Sequence, residues 1–166
     1  MRPAQKMATG GMLAAVALVI MCLGGLIPVA TFVCPVLCMV LLHFVSALCG
    51  LRIGWAWYVC VSFLSVLIAP DKEAAAVFAF LGYYPLLKPV FEKWPAALIW
   101  KLCLFNIAIF CMYTVLIYIF GMAYIANEYQ EMGMVMLGIL LVLGNFTFLL
   151  LDRLLTKINN KKSSGI

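Results

Sequence analysis

Charge is what this chain of 166 residues has least of: 11 basic and 6 acidic side chains make up only 10% of it, against about 25% in soluble domains. So few charges cannot cover a globule in water. Histidine occurs once, at His43. Cys34 and Cys38, one helical turn apart, place soft ligands before it, but no third and fourth ligand accompanies them, and a metal site is not expected. His-Glu-x-x-His, Gly-x-Ser-x-Gly and a Walker lysine loop are all missing, which removes the sequence grounds for a zinc hydrolase, a serine hydrolase or a nucleotide-binding enzyme. A basic stripe with interleaved aromatics is missing too, so the net charge of +5 does not point to nucleic acid. The expectation is a non-enzyme without a cofactor.

What is present in excess is hydrocarbon. Apolar side chains make up 67% of the chain and its mean hydropathy is +1.17. Uncharged stretches at 53–70 and 102–126 fit a bilayer core, which a helix of roughly 20 residues crosses. The seven cysteines mostly lie in such stretches, where a thiol behaves as a small hydrophobe, and no disulfide framework is expected. The reading is an all-α integral membrane protein with six transmembrane helices near 7–27, 32–51, 53–69, 74–90, 102–124 and 132–151. The first run is too long for a signal-peptide core. Pro85 and Pro89 interrupt backbone hydrogen bonding in the fourth span, which is expected to be kinked. One transmembrane domain covers 1–155, and 156–166 is a basic cytoplasmic tail whose end, from Asn159, is expected to be disordered.

Six alternating crossings gather Arg2, Lys6, Arg52, Lys88, Lys93, Lys101, Arg153, Lys157, Lys161 and Lys162 on one side and leave Lys72 on the other. By the positive-inside rule both ends then face the cytoplasm of a bacterial inner membrane. Trp55, Trp57, Trp94 and Trp100 fall beside Arg52, Lys93 and Lys101, at the headgroup level where tryptophan concentrates.

Polar residues within the spans are few. Asn106 and Asn145 fall at similar depth in spans five and six, where antiparallel helices can pair them as interhelical glue. Gly10 with Ala14 and Gly11 with Ala15 form overlapping small-x-x-x-small pairs on the first span, suited to close helix approach within the protein or to a partner. At the outer rim, Asp71, Lys72 and Glu73 from one connection meet Tyr124, Asn127, Glu128, Tyr129 and Glu131 from another. Solvated loops account for this cluster, and a small-molecule site between helix ends is the sharper alternative. Four carboxylates against Lys72 give a net formal charge of about −3, which attracts cations over a Debye length of roughly 8 Å. Tyr124 and Tyr129 offer aromatic faces to a cationic or neutral heterocycle, and Asn127 a hydrogen bond.

The six-span architecture, cytoplasmic ends and small-residue first span resemble the substrate-capture (S) components of energy-coupling factor transporters. The strings Pro-Asp-Lys-Glu-Ala-Ala at 70–75, Phe-Leu-Gly-Tyr-Tyr-Pro-Leu-Leu-Lys at 80–88 and Lys-Leu-Cys-Leu-Phe-Asn at 101–106 also look like those of a group of small bacterial membrane proteins. The S-component resemblance implies an outward-facing pocket for a small micronutrient, a transmembrane coupling subunit docked on the first helix, and ATP hydrolysis on separate cytoplasmic ATPases. That family carries Ala-x-x-x-Ala where this chain has Gly10/Ala14 and Gly11/Ala15, and no vitamin-specific motif is present. The competing reading is a membrane scaffold resembling the rod-shape-determining protein MreD, which is similar in size and hydropathy and needs no ligand pocket.

Overall fold

The computed structural model describes residues 3–24, 30–91, 97–118 and 133–163. All regular structure among them is helical: α1 (Pro3–Leu23), α2 (Ala30–Cys49), α3 (Leu51–Ile68), α4 (Lys72–Leu81), α5 (Tyr84–Phe91), α6 (Ala97–Tyr118) and α7 (Gly133–Ser163). Five segments are long and apolar enough to cross a membrane: Ala4–Leu23, Thr31–Cys49, Leu51–Ile68, Lys72–Phe91 and Leu98–Leu116. The described residues are all-helical, and the protein is a membrane-embedded one. Its chain forms two compact units, Met1–Ala97 and Leu98–Ile166.

In the first unit α2 and α3 are central, since each packs against α1 and against α4 and α5. A single residue joins these two helices. Gly50 has φ of 101° and ψ of 163°, an extended positive-φ conformation that is essentially restricted to glycine and costs a side-chain-bearing residue about 1–3 kcal/mol. Its N–H donates to Ser46 O at 3.1 Å while its carbonyl accepts from Gly54 N at 3.0 Å, so the chain reverses without leaving both groups bare. The apolar walls facing lipid are single residues such as Phe63, Leu67 and Val59 on α3. The inward positions of that helix are Gly54, Trp57, Val61 and Ser65, at the three- and four-residue spacing of one helical face.

The segment 72–91 is the most enclosed of the five. Ala74, Ala75, Ala76, Val77 and Phe78 are all buried, and small side chains let α2 and α3 approach this helix closely. It is divided at Gly82 and Tyr83, ahead of the two prolines. Pro85 sits in the first turn of α5, where an N–H has no intrahelical partner in any case, so this proline suits a helix start. Tyr83 O accepts from Leu86 N at 3.0 Å and Leu87 N at 3.3 Å, beginning the new helix. A Cβ on Gly82 would run into the Phe78 carbonyl and lie 3.0 Å from two atoms of its ring. Gly82→Val is therefore expected to destabilise the protein by about 1–3 kcal/mol through overpacking, measured as a lower unfolding midpoint in mixed micelles. An unchanged midpoint would show that the division tolerates a side chain.

In the second unit α6 and α7 run antiparallel, because Lys101 meets Asp152, Phe105 meets Phe148 and Asn106 meets Asn145. The two phenyl rings stack at 4.8 Å with 25° between planes. The helix α7 has 31 residues, about 46 Å at 1.5 Å per residue, against an apolar core about 30 Å thick. Its helical backbone continues to Ser163, so the polar stretch from Asn159, expected to be disordered, is helical as far as that residue. Lysines and asparagines there are compatible with helix once tertiary structure holds the preceding turns.

Candidate functional site

Of the cluster expected at the outer rim, the described residues include one of its two sides. Tyr124, Asn127, Glu128, Tyr129 and Glu131 lie outside the described residues. Asp71, Lys72 and Glu73 are half-buried at the junction of α3 and α4. Asp71 is the N-cap of α4: its Oδ1 accepts from Glu73 N at 3.0 Å and Ala74 N at 3.1 Å, satisfying two of the donors that a helix start leaves open. Its Oδ2 accepts from the Thr31 hydroxyl at 2.8 Å, tying the beginning of α2 to this corner. Lys72 turns the other way, and its ammonium donates to Val66 O at 2.9 Å and Leu67 O at 3.4 Å. A carboxylate thus stands at a helix N-terminus and an ammonium at a helix C-terminus, the favourable sense of both macrodipoles.

This geometry assigns Asp71 a structural task. Three donors already occupy its two oxygens, while Glu73, in the first turn of α4, has further polar or electrostatic contacts of its own. Thr31 is the partner that reading the sequence missed, since it lies forty positions away and belongs to the start of another span. The sequence places Asp71 only in a polar connection, with Lys72 and Glu73 between it and the apolar run; the cap is a finding of the structure.

On α1 the four small residues divide between two faces. Gly10 is buried, its carbonyl accepts from Trp57 Nε1 at 3.1 Å, and a Cβ there would sit 3.7 Å from Ile53 Cγ2. Ala14 is half-buried on the same side. Gly11 and Ala15 are exposed, and a Cβ on Gly11 would meet nothing within 4 Å. One pair therefore lets α3 approach, and the other is left outward.

Two thiols add to the grip on α1. Cys38 Sγ donates to Ala17 O at 3.5 Å and Cys49 Sγ to Lys6 O at 3.3 Å. All seven cysteines are free. Among the described residues no three His, Cys, Asp or Glu side chains come together as a metal would require.

Asn106 and Asn145 exchange amide hydrogen bonds at 3.0 and 3.3 Å, the pairing their depth predicts. Each Nδ2 also donates to a carbonyl one turn earlier, Leu102 O and Leu141 O, both at 2.8 Å. Asn106→Ala leaves Asn145 with that local acceptor, and the expected loss is only about 0.6 kcal/mol, read by unfolding in mixed micelles. A loss several times larger would reveal a role beyond helix pairing. No protein-family model, characterised protein or solved structure matches this chain.

Proposed function

We propose that this chain is a non-catalytic membrane subunit that docks onto another membrane protein through α1. The observation that carries the reading is the outward pair Gly11 and Ala15: small residues at i and i+4 let a partner helix approach closely, and internal packing uses Gly10 instead. In the fuller reading the subunit captures a small cationic or neutral micronutrient at its outer rim and passes it to a coupling subunit powered by separate ATPases. The topology that goes with it has α7 as a sixth crossing, a bent fourth span and both ends in the cytoplasm. A periplasm-active reporter enzyme fused after Ile166 is then inactive and one fused after Glu73 active; the reverse pattern refutes the orientation.

Gly11→Leu with Ala15→Leu is expected to abolish co-purification with a coupling-type subunit while leaving the unfolding midpoint unchanged. A lowered midpoint with no assembly-specific defect would assign these residues to the protein's own packing. A scaffold like the rod-shape protein MreD is the second reading, favoured by the commitment of Asp71 to Thr31 and the α4 cap. Mass spectrometry of small molecules retained through mild-detergent purification separates the two. A retained non-lipid solute supports capture, and lipid alone supports the scaffold.

A further inference from the structure

At one end of the first unit, the beginning of α1, the end of α2 and the beginning of α3 enclose an open groove of about 610 Å³, lined by Lys6, Met7, Cys49, Leu51, Arg52 and Ile53 with Gly50 between the helices. Its walls are of two kinds. Lys6 and Arg52 bring two positive charges, and no carboxylate among the described residues forms an ion pair with either. Met7 is 72% exposed and Leu51 55% exposed, so hydrocarbon continues from the groove onto the surface. The first turns of α1 and α3 and the last residue of α2 line it together, so two positive macrodipole ends stand there against one negative end. The Cys49 thiol, bonded to Lys6 O, fixes one wall against the other.

We infer that this groove is a binding site for an anionic phospholipid, with the phosphate between Lys6 and Arg52 and an acyl chain along Met7, Leu51 and Ile53. The position selects the ligand. The groove lies where two membrane-spanning helices begin and a third ends, which is headgroup depth for any helix that just crosses the bilayer. Long basic side chains at such ends reach toward lipid headgroups with their stems along hydrocarbon. A free phosphate would satisfy the cations and leave the apolar wall unused. A zwitterionic lipid would use the wall and set its own ammonium against the two charges. An anionic phospholipid matches both surfaces, and the groove's volume is within the range of about 300–1,000 Å³ typical of small-ligand sites.

The inference is independent of solute capture and needs only that the protein is embedded in a membrane. It is tested on the full chain, delipidated in detergent, by native mass spectrometry with phosphatidylglycerol and phosphatidylcholine of the same acyl chains. Near a membrane surface each basic residue is worth about five-fold in anionic-lipid affinity. Lys6→Gln with Arg52→Gln is expected to weaken phosphatidylglycerol binding about 25-fold and to abolish its preference over phosphatidylcholine. Lys6→Arg with Arg52→Lys, which keeps both charges in a foldable pair, retains the preference. Arg153→Gln with Lys157→Gln removes two exposed charges from α7 and leaves the binding as it was. Equal weakening in that control pair would mean that diffuse charge, not the groove, holds the lipid. Displacement by millimolar inorganic phosphate would identify a free-phosphate site and overturn the lipid assignment, as would equal binding of the two lipids by the unaltered protein.

Discussion

Asp152→Ala is expected to destabilise the second unit by about 3 kcal/mol, the lower end of what breaking a buried ion pair costs. Lys101 Nζ lies 3.0 Å from Asp152 Oδ2 and 3.2 Å from Oδ1, with the side chains only 8% and 16% exposed. Truncating the aspartate strands an ammonium that water barely reaches. The charge is also near the start of α6, whose macrodipole opposes a cation. Asp152 offsets both penalties from the neighbouring helix. Lys101→Met alone should cost less, since Asp152 keeps more contact with solvent. Lys101→Met with Asp152→Leu should recover most of the loss, because replacing a whole buried pair by apolar groups is often neutral. Unfolding of the four proteins in mixed micelles gives the cycle. Losses that simply add in the double variant would show that the two charges are not coupled, whatever their separation.

This pair also marks where reading the sequence stops. Charge distribution groups Lys101 with the other basic residues on one side, but nothing along the chain says that it meets Asp152. The asparagines were easier. An amide in hydrocarbon needs a partner, few were available, and Asn106 and Asn145 had matching depth. Lys88, grouped by charge with the same side, is buried, 6% exposed, in the last turn of α5, where a positive charge suits the helix end. Span four was legible as an apolar segment, and its helix is divided at Gly82 and Tyr83, just ahead of Pro85. The tight approach of Gly82 to Phe78 at that point depends on a three-dimensional fit that no periodicity records.

The candidate site was less legible than the fold for a related reason. Asp71 is acidic, near a predicted surface and close to other carboxylates, which is how a cation-binding residue and a helix cap both look in sequence. The Thr31 hydroxyl and two backbone donors resolve that ambiguity toward the cap. On α1, a spacing of four establishes that Gly10 and Ala14 share a face, as do Gly11 and Ala15. It does not establish which of two adjacent faces turns inward. Trp57 makes that choice.

Trp57→Ala is accordingly the second large loss expected, about 3 kcal/mol, at the lower end of the range for deleting a buried aromatic. Tryptophan at a span end reads as a headgroup anchor; Trp55 and Trp100 are exposed, whereas Trp57 is 5% exposed and faces α1. Its indole N–H is donated to Gly10 O at 3.1 Å, and its ring meets Phe78 edge-on at 6.4 Å. It therefore touches α1 from one side and α4 from the other. Within a bilayer, lipid is as apolar as the protein interior, so the transfer contribution to the loss shrinks and the unfilled cavity and forfeited contacts dominate it. Trp57→Phe keeps most of the ring and removes the donor, and should cost about 1 kcal/mol, the worth of one hydrogen bond. Gly10→Leu should resemble Trp57→Ala, because its side chain would enter the space beside Ile53. Gly11→Leu should leave the unfolding midpoint where it was. Equal losses from leucine at positions 10 and 11 would mean that both faces of α1 are packed within the protein, and would overturn the proposal that α1 docks a partner.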